Sequence, residues 1–278
     1  MGTQVMRRRQ WLFSTAALLA GPTLSTQAFD HAHADWTALL KKHVVLLRGG
    51  QASQVRYADF AADRVELKRY LETLSALPRS VFDTFKMPQQ QAFFVNAYNA
   101  FTVELILTKY PNLQSIKDLG GWLSSPWDSA WIQLLGAKVS LDDIEHGMLR
   151  QRGVYDDPRV HFAVNCASVG CPMLREEAFT ADLLAIQLEQ QTQRFMSDRS
   201  RNRWNTQRGR LELSKIFEWY GEDFRLGHQG IASLAAFSAS HANRLADAPA
   251  DRERIRSGRF DTVFLDYDWA LNDVRRSL

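Results

Sequence analysis

Both cysteines of the chain fall within one twelve-residue segment, His161–Pro172, which reads HFAVNCASVGCP. Thiol, imidazole and amide groups are those on which nucleophilic and metal-dependent chemistry depend. We therefore expect a polar functional site centred on this segment, with Cys166, His161 and Asn165 as candidate catalytic residues. The alternative interpretation is a buried strand that ends in a small disulfide loop.

Four residues separate Cys166 from Cys171, which permits a disulfide if the turn brings the two Cα atoms within about 7 Å. Disulfides persist in exported proteins, and the N-terminal signal described below makes this bond the structural expectation. So small a ring removes little chain entropy and would stabilise the fold only weakly. The Cys-x-x-Cys spacing that lowers a thiol pKa in redox-active pairs is not present.

A thiol nucleophile needs a base within hydrogen-bond reach. Residues 159–165 have the pattern of a buried strand, in which successive side chains point to opposite faces. His161 and Asn165 would then share one face, and Cys166 would lie on the other. The sequence therefore predicts that any base for Cys166 comes from another element.

A second set of candidates lies on a predicted helix that begins at Ser140, with Asp143 at the capping-box position. Asp143, His146 and Arg150 share one flank at helical spacing, and Glu145 lies beside them. Glu145 and His146 are candidate acid–base residues, or could orient the imidazole of the segment above. The alternative is an exposed helix face linked by ion pairs, which is the commoner outcome for charged residues.

Asn96 and Asn99 lie three residues apart in the longest predicted helix, within the sequence FFVNAYNAF. Amides among so many aromatic residues would be buried, and buried amides must be hydrogen-bonded. These two could hold the turn around Cys166 in shape or orient an imidazole. A supporting structural role is favoured, because a helix interior is rigid and poor in water.

Zinc binding is a further alternative, because His161, Cys166 and Cys171 are residue types that zinc accepts. Their His-x4-Cys-x4-Cys spacing matches no recognised zinc motif and lacks a fourth ligand, so we assign no metal ligand. His31 and His33 could bind a metal loosely, but we expect them in a frayed tail. The sequence contains no phosphate-binding glycine loop and no nucleophile elbow, and it identifies no cofactor.

Residues 1–28 have the pattern of a cleavable export signal. Arg7–Arg9 forms a basic region, residues 11–20 form a short apolar region, and Thr26–Ala28 resembles a small-residue cleavage site. The paired arginines also resemble the twin-arginine pattern, so the twin-arginine and general secretory routes both remain open. We expect an exported, periplasmic protein whose mature form begins near Phe29.

Removal of residues 1–28 would remove three arginines and no acidic residue, so the formal charge would fall from +3 to zero. This balance gives no reason to expect a nucleic-acid partner. The apolar run of the signal is too short to span a membrane, and we expect no transmembrane segment after its removal. The expected partner is an unidentified small molecule, peptide or protein, and residues 29–278 suffice for one well-buried domain.

The predicted strands are short, scattered and mostly joined as hairpins. Helices are predicted at 36–47, 63–77, 89–110, 140–150, 180–197, 215–220, 230–244 and 249–257, and strands at 131–139, 159–165, 203–213 and 262–267. This order indicates an α+β fold, a single helix-rich domain around a small, mainly antiparallel sheet. The regular strand–helix alternation of a doubly wound parallel sheet is absent.

Several motifs in a fixed order resemble the domain of unknown function 547 family. They are FFVNAYN at 93–99, LDDIEH at 141–146, DPRVHFAVNC at 157–166, SKIFEWYGEDF at 214–224 and DYDW at 266–269. The resemblance covers about residues 85–270 and implies a single α+β domain in an exported bacterial protein. It implies no agreed activity.

A weaker likeness is to the papain and transglutaminase arrangement, in which a nucleophile begins a buried helix and a histidine lies on a facing strand. The predicted helix with Asn96 and the predicted strand with His161 occur in that order. Asn96 stands where that arrangement has a cysteine. The likeness therefore implies a non-catalytic binding protein as readily as an enzyme that uses Cys166.

Two functions follow from these patterns. The favoured one is a binding or scaffold role, because spacing alone assembles no complete catalytic dyad. The alternative is a thiol-dependent hydrolase or acyl transferase, with Cys166 as nucleophile and His161 or His146 as base. The residues expected to support the site are Asn96, Asn99, Cys171 and Arg150.

Overall fold

The computed structural model describes residues 28–121 and 125–274, so the predicted export signal lies outside the described residues apart from Ala28. Within these ranges the chain has the α+β fold that the sequence indicates. The α-helices are α1 (Ala34–His43), α2 (Tyr57–Ala62), α3 (Arg64–Ser75), α4 (Arg79–Phe82), α5 (Met87–Leu107), α6 (Leu184–Ser197), α7 (Ile216–Trp219), α8 (Leu234–Ser240), α9 (Ala242–Leu245) and α10 (Pro249–Arg256). The strands are β1 (Val44–Leu47), β2 (Ala52–Val55), β3 (Ile132–Leu134), β4 (Ala137–Val139), β5 (Arg203–Asn205), β6 (Arg210–Leu213) and β7 (Thr262–Phe264).

Helices of other types connect these elements. A π-helix spans Asp143–Leu149, and 3₁₀ helices span Arg48–Gly50, Ile116–Leu119, Pro158–Phe162, Asp223–Arg225 and His228–Gly230. None of the helices in the described ranges is long and apolar enough to cross a membrane.

The strands form three separate small sheets in the described ranges rather than the single sheet expected. Strands β1 and β2 form an antiparallel pair, as do β3 and β4, while the third sheet has the order β5-β6-β7. Strand β5 is antiparallel to β6, but β7 runs parallel to β6, with Leu211 opposite Thr262. Strand β1 occupies the end of the first predicted helix, where the β-branched pair Val44 and Val45 favours an extended chain.

Helix α5 forms the centre of the larger hydrophobic core. It is apolar on almost every face, and sixteen of its 21 residues are buried. A helix with this pattern has to be enclosed by other elements. Helices α1 and α3, the β3–β4 hairpin and the Asp143–Leu149 π-helix contribute the surrounding side chains.

A second core is built around a cluster of phenylalanines in mutual contact. Its members are Phe162, Phe195, Phe217, Phe224 and Phe237, together with apolar residues of β5, β6, α9 and α10. The neighbouring residues 163 and 164 belong to the first core. The chain therefore crosses from one core to the other just before the cysteines.

The segment predicted as a strand over 159–165 is instead the 3₁₀ helix Pro158–Phe162 followed by an irregular loop. Its proline suits the first turn of a helix, and the Asp157 side chain accepts a hydrogen bond from the second backbone N–H at 3.0 Å. Strand alternation does not apply to such a segment. The expectation that His161 and Cys166 point to opposite faces is therefore wrong.

The predicted capping box at Ser140 is confirmed. Ser140 Oγ accepts a hydrogen bond from the N–H of Asp143 at 3.0 Å, and Asp143 Oδ2 accepts one from the N–H of Ser140 at 2.8 Å. The helix then widens to the π form, and the N–H of Arg150 donates to the carbonyl of Glu145, five residues earlier, at 3.0 Å. Because each turn of a π-helix holds more residues, Glu145 points into the protein rather than onto the exposed flank predicted for it.

Candidate functional site

The cysteines lie in a tight loop that the Asn165 side chain closes. Its Oδ1 accepts a hydrogen bond from the N–H of Ala167 at 3.0 Å, and its Nδ2 donates to the carbonyl of Pro172 at 2.7 Å. Ala167 has a φ of 62°, a left-handed conformation that costs energy for a residue other than glycine. Asn165 therefore shapes the loop and does not itself line the pocket described below.

The two asparagines of α5 bind backbone on either side of this region. Asn99 Nδ2 donates to the carbonyl of Ala163 at 2.9 Å, and Asn99 Oδ1 accepts from the N–H of Asn165 at 2.8 Å. Asn96 makes the same paired contact with the backbone of Phe179, at 2.7 and 3.0 Å. Neither amide bonds an imidazole, so the helix–histidine contact of the papain-like arrangement is not formed here.

Cys166 and Cys171 are free thiols, and the expected disulfide is not formed. The sulfur of Cys171 accepts a hydrogen bond from the backbone N–H of Cys166 at 2.9 Å, which holds it against the backbone. The Cys166 sulfur is partly exposed and lies 3.1 Å from the hydroxyl of Tyr267, whereas Cys171 is buried. The two thiols thus differ in their exposure to solvent.

Their acidities also differ. A hydrogen bond from the Cys171 thiol lowers the pKa of Cys166, and the Tyr267 and Ser168 hydroxyls lower it further against the opposing effect of burial. Burial raises the pKa of Cys171 well above its usual value. Negative charge is therefore stabilised on Cys166, the more accessible sulfur, and the thiolate is the nucleophilic form.

His161 is held by an acidic residue from a distant part of the chain. Its Nε2 lies 2.8 Å from Oδ2 of Asp223, and the same carboxylate accepts hydrogen bonds from Arg150 at 2.6 and 3.1 Å. Burial alone would raise the pKa of Asp223, but the hydrogen bonds from His161 and Arg150 outweigh it and lower the pKa. The imidazole also stacks on Tyr220, with ring centroids 3.9 Å apart.

The other ring nitrogen of His161, Nδ1, is buried and has no hydrogen-bond partner. Because a carboxylate only accepts hydrogen bonds, Nε2 carries the proton, and Nδ1 is left as a lone-pair acceptor. Burial lowers the pKa of His161, so the neutral imidazole predominates at neutral pH. The ring is therefore in the form that a general base requires.

The π-helix supplies two further candidates. Glu145 is 7% exposed and accepts a hydrogen bond from the hydroxyl of Tyr220 at 2.7 Å. His146 is exposed, and its Nδ1 lies 2.5 Å from Nη1 of Arg150. Neither residue bonds His161, but both contact Tyr220, whose ring stacks on His161.

These groups line a single pocket of about 220 Å³. Its polar lining consists of Asp142, Glu145, His146, His161, Cys166 and Cys171. One side is an aromatic wall, by which we mean Trp127, Trp219, Tyr267 and Trp269. Within it, the ring centroids of Tyr267 lie 4.5 Å from Trp269 and 4.9 Å from Trp219. The pocket thus combines two thiols, two imidazoles and two carboxylates with a group of tilted aromatic rings.

Sequence reasoning missed Tyr220 and Tyr267, which line this pocket, and Asp223, which bonds His161. All three lie in motifs at 214–224 and 266–269 that carry the family resemblance. Those motifs indicated that functional residues lie there, but their spacing does not show which residue contacts the cysteine segment.

The zinc alternative is not supported by this arrangement. In the described ranges, no group of three or more His, Cys, Asp and Glu side chains has a geometry that could hold a metal ion. The Nε2 atom of His161 is already bonded to Asp223, and the buried Cys171 sulfur faces backbone. The three proposed ligands do not converge.

Comparison with known proteins gives a family without an activity. No curated protein and no solved structure matches the chain. Residues 82–196 match a family model described as a protein of unknown function, DUF547. The matched part contains α5, the π-helix, His161 and the cysteine loop, whereas Asp223 and Tyr267 follow it in the chain. Over residues 82–196, which are less than half of the chain, the protein is similar to the DUF547 family.

Proposed function

We propose that the pocket catalyses thiol-dependent acyl transfer, to water or to another acceptor, with Cys166 as nucleophile and His161 as base. One observation carries the proposal. Cys166, whose thiolate is stabilised, lines the same pocket as His161, which Asp223 holds. A nucleophile, a base and a group that orients the base are the parts that this chemistry needs.

The chemical steps assign each group a role. The Cys166 sulfur forms a bond to the acyl carbon, the bond to the leaving group breaks, and the leaving group takes up a proton. Nδ1 of His161 accepts the thiol proton and delivers it to the leaving group. In the second half, the same nitrogen activates water or another nucleophile, which breaks the thioester and restores the thiol.

Asp223 supports this role by fixing the tautomer of His161. Its carboxylate accepts a hydrogen bond from Nε2–H, so the proton stays on Nε2 and the lone pair stays on Nδ1. In the described structure no hydrogen bond joins the Cys166 sulfur to His161. Catalytic contacts are often long in the absence of substrate, and one water or the bound substrate can complete this proton path.

The pocket lining narrows the class of substrate. Among the described residues that line it, Asp142 and Glu145 are carboxylates, and none is a lysine or arginine. The aromatic wall offers flat apolar surface and ring faces that attract cations. We therefore expect an acyl compound with an apolar or cationic group, and discrimination against anionic substrates.

The test uses the reduced full-length chain and the activated ester p-nitrophenyl acetate. We expect release of p-nitrophenol and an acetyl group on Cys166, detected by mass spectrometry after proteolysis. Cys166→Ser should abolish both. His161→Gln should slow acylation at least tenfold, while His241→Asn, at a half-buried histidine outside the pocket, should not.

Two results would overturn this proposal. One is an unchanged rate in Cys166→Ser, and the other is an acetyl group found mainly at another residue. Thermal unfolding of each variant shows whether a lost rate reflects a lost fold.

A binding role without catalysis is the second candidate, and the aromatic wall is the observation that favours it. Aromatic rings in contact beside carboxylates form a recognition surface whether or not the thiol reacts. Under this function, Cys166→Ser would leave ligand-dependent changes in tryptophan fluorescence intact, and Trp269→Ala would abolish them. The acyl-transfer proposal predicts that Cys166→Ser loses turnover.

Export to the periplasm is proposed from the sequence of residues 1–28 alone. The basic Arg7–Arg9 run, the apolar stretch and the cleavage pattern before Phe29 support it. N-terminal sequencing of the protein from the periplasmic fraction should start near Phe29. Replacement of Arg8 and Arg9 by lysines separates the routes, because the twin-arginine route should fail while general secretion continues.

A further inference from the structure

Acyl transfer at Cys166 leaves the second cysteine without a task. Cys171 lines the same pocket but is only 5% exposed, and its sulfur accepts a hydrogen bond from the backbone N–H of Cys166 at 2.9 Å. That nitrogen belongs to Cys166, so the Cys171 sulfur is held beside Cys166 across a loop of four intervening residues.

The loop that carries the two cysteines is clamped along its length. Midway between them, the N–H groups of Val169 and Gly170 donate to the carbonyls of Ala270 and Asp268, each at 2.8 Å. Asn165 closes the loop at its two ends. The backbone that carries both cysteines is thus fixed, and joining the two sulfurs requires movement of their side chains.

The two thiols differ in a way that gives an order of reaction. A small reagent can reach the partly exposed Cys166 through the pocket, whereas Cys171 is enclosed. The thiolate attacks electrophiles, and a protonated, buried neighbour is protected from them until the first sulfur has reacted.

We propose that Cys166 and Cys171 form a reversible redox pair that reacts with peroxides, with Cys166 as the attacking sulfur and Cys171 as the resolving sulfur. The proposal rests on the proposed function only in using Cys166 as the nucleophile. The pair provides a peroxide-reducing reaction and a means of switching acyl transfer off.

The reaction balances in two steps. The Cys166 thiolate attacks one oxygen of hydrogen peroxide, the O–O bond breaks, and hydroxide leaves and becomes water, which gives a sulfenic acid. The Cys171 thiol then attacks that sulfur, the S–O bond breaks, and water leaves with the thiol proton as the disulfide forms. The peroxide gains two electrons, the dithiol loses two, and an external dithiol reductant restores both thiols.

The test titrates the reduced full-length chain with hydrogen peroxide and follows intact mass. We expect about one equivalent to remove both thiols, with a mass loss of about 2 Da that dithiothreitol reverses. Cys171→Ser should instead stop at a sulfenic acid on Cys166, which dimedone traps. Cys166→Ser should leave Cys171 unreacted at the same peroxide concentration.

Two results would overturn the proposal. One is a wild-type chain that gains oxygen at Cys166 and forms no internal disulfide. The other is a Cys166→Ser variant that loses its remaining thiol as fast as the wild type. Disulfide formation without acetylation by p-nitrophenyl acetate would reject acyl transfer and leave the redox pair standing. Acetylation without a disulfide would do the reverse.

Discussion

Nε2 of His161 lies 2.8 Å from Oδ2 of Asp223, although 62 residues separate them in the chain. Arg150 binds the same carboxylate, so one acidic side chain fixes both a cation and the candidate base. Asp223 is itself 8% exposed. A buried charge with two partners of this kind is costly to remove, because both partners are left without an acceptor.

We expect Asp223→Asn to lower the free energy of unfolding by about 3 kcal/mol and to slow acylation of Cys166. The amide keeps the shape of the side chain but loses the charge that Arg150 and His161 require. Urea unfolding at pH 7.5 measures the loss. The control is Asp247→Asn, whose side chain is 95% exposed and pairs with Arg199, and which should change nothing measurable. Equal losses in the two variants would contradict this account.

Gly170 is expected to tolerate no side chain. A Cβ there would lie 3.0 Å from backbone atoms of Asp268 and from the ring of Tyr267. Gly170→Ala should therefore cost about 2 kcal/mol and shift the alkylation profile of Cys166 to higher pH as Tyr267 moves away. Gly147→Ala is the matched control, since nothing lies within 4 Å of its Cβ position. Iodoacetamide labelling across pH and thermal unfolding check both, and an unchanged Gly170→Ala would refute the prediction.

The Asn165 side chain should be needed for the cysteine loop to form. Asn165→Ala leaves the N–H of Ala167 and the carbonyl of Pro172 without their partners in a buried region, so we expect a loss of about 3 kcal/mol. Asn243→Ala, at an exposed asparagine that bonds Arg256, is the control and should be nearly neutral. Guanidinium unfolding compares them. If Asn165→Ala lowers the free energy of unfolding no more than the control does, the cysteine loop forms without the Asn165 hydrogen bonds.

Stability should fall in acid partly through His33. This residue is 2% exposed, its Nδ1 lies 2.7 Å from the hydroxyl of Tyr70, and burial lowers its pKa from 6.5 to about 4. The unfolded chain binds the proton below pH 6.5 and the folded chain only near pH 4, so stability is lost as pH falls between these values. The shift corresponds to about 3 kcal/mol.

The variant His33→Asn isolates this effect from that of other histidines. It cannot take up the proton, so its unfolding free energy should fall by about 3 kcal/mol less than that of the wild type between pH 7.5 and pH 4. Urea unfolding at a series of pH values gives the two slopes. Parallel slopes would mean that His33 titrates alike in the folded and unfolded chains.

Periodicity and turn chemistry predicted much of the fold. The hairpin of β3 and β4, the hairpin of β5 and β6, and helix α5 all lie within two or three residues of their expected positions. Errors arose where a local signal was absent or ambiguous. Helix α6 begins at Leu184 rather than after Thr180, and the short apolar run at 159–165 fits either a strand or a tight helix. His33, expected in a frayed tail, is packed against Tyr70.

The candidate site was predictable only in part, because most of its contacts are long-range. The sequence identified Cys166 and His161 as candidates but placed them on opposite faces of a predicted strand. That strand does not form, so the two side chains are not separated in this way. Tyr267 reaches Cys166 across 101 residues, and Asp223 reaches His161 across 62. The spacing of residues along a chain does not predict such long-range contacts, which depend on how the two hydrophobic cores pack.

Asn272 hydrogen-bonds two segments that lie far before it in the sequence and are therefore synthesised much earlier. Its backbone carbonyl accepts from the N–H of Val55 at 2.8 Å, and its N–H donates to the carbonyl of Ala167 at 3.0 Å. On the ribosome, the cysteine loop therefore emerges about a hundred residues before the segment that seats it. Until synthesis passes Asn272, the cysteine loop lacks this backbone partner, so Cys171, which is buried in the finished protein, is open to oxidation in the nascent chain.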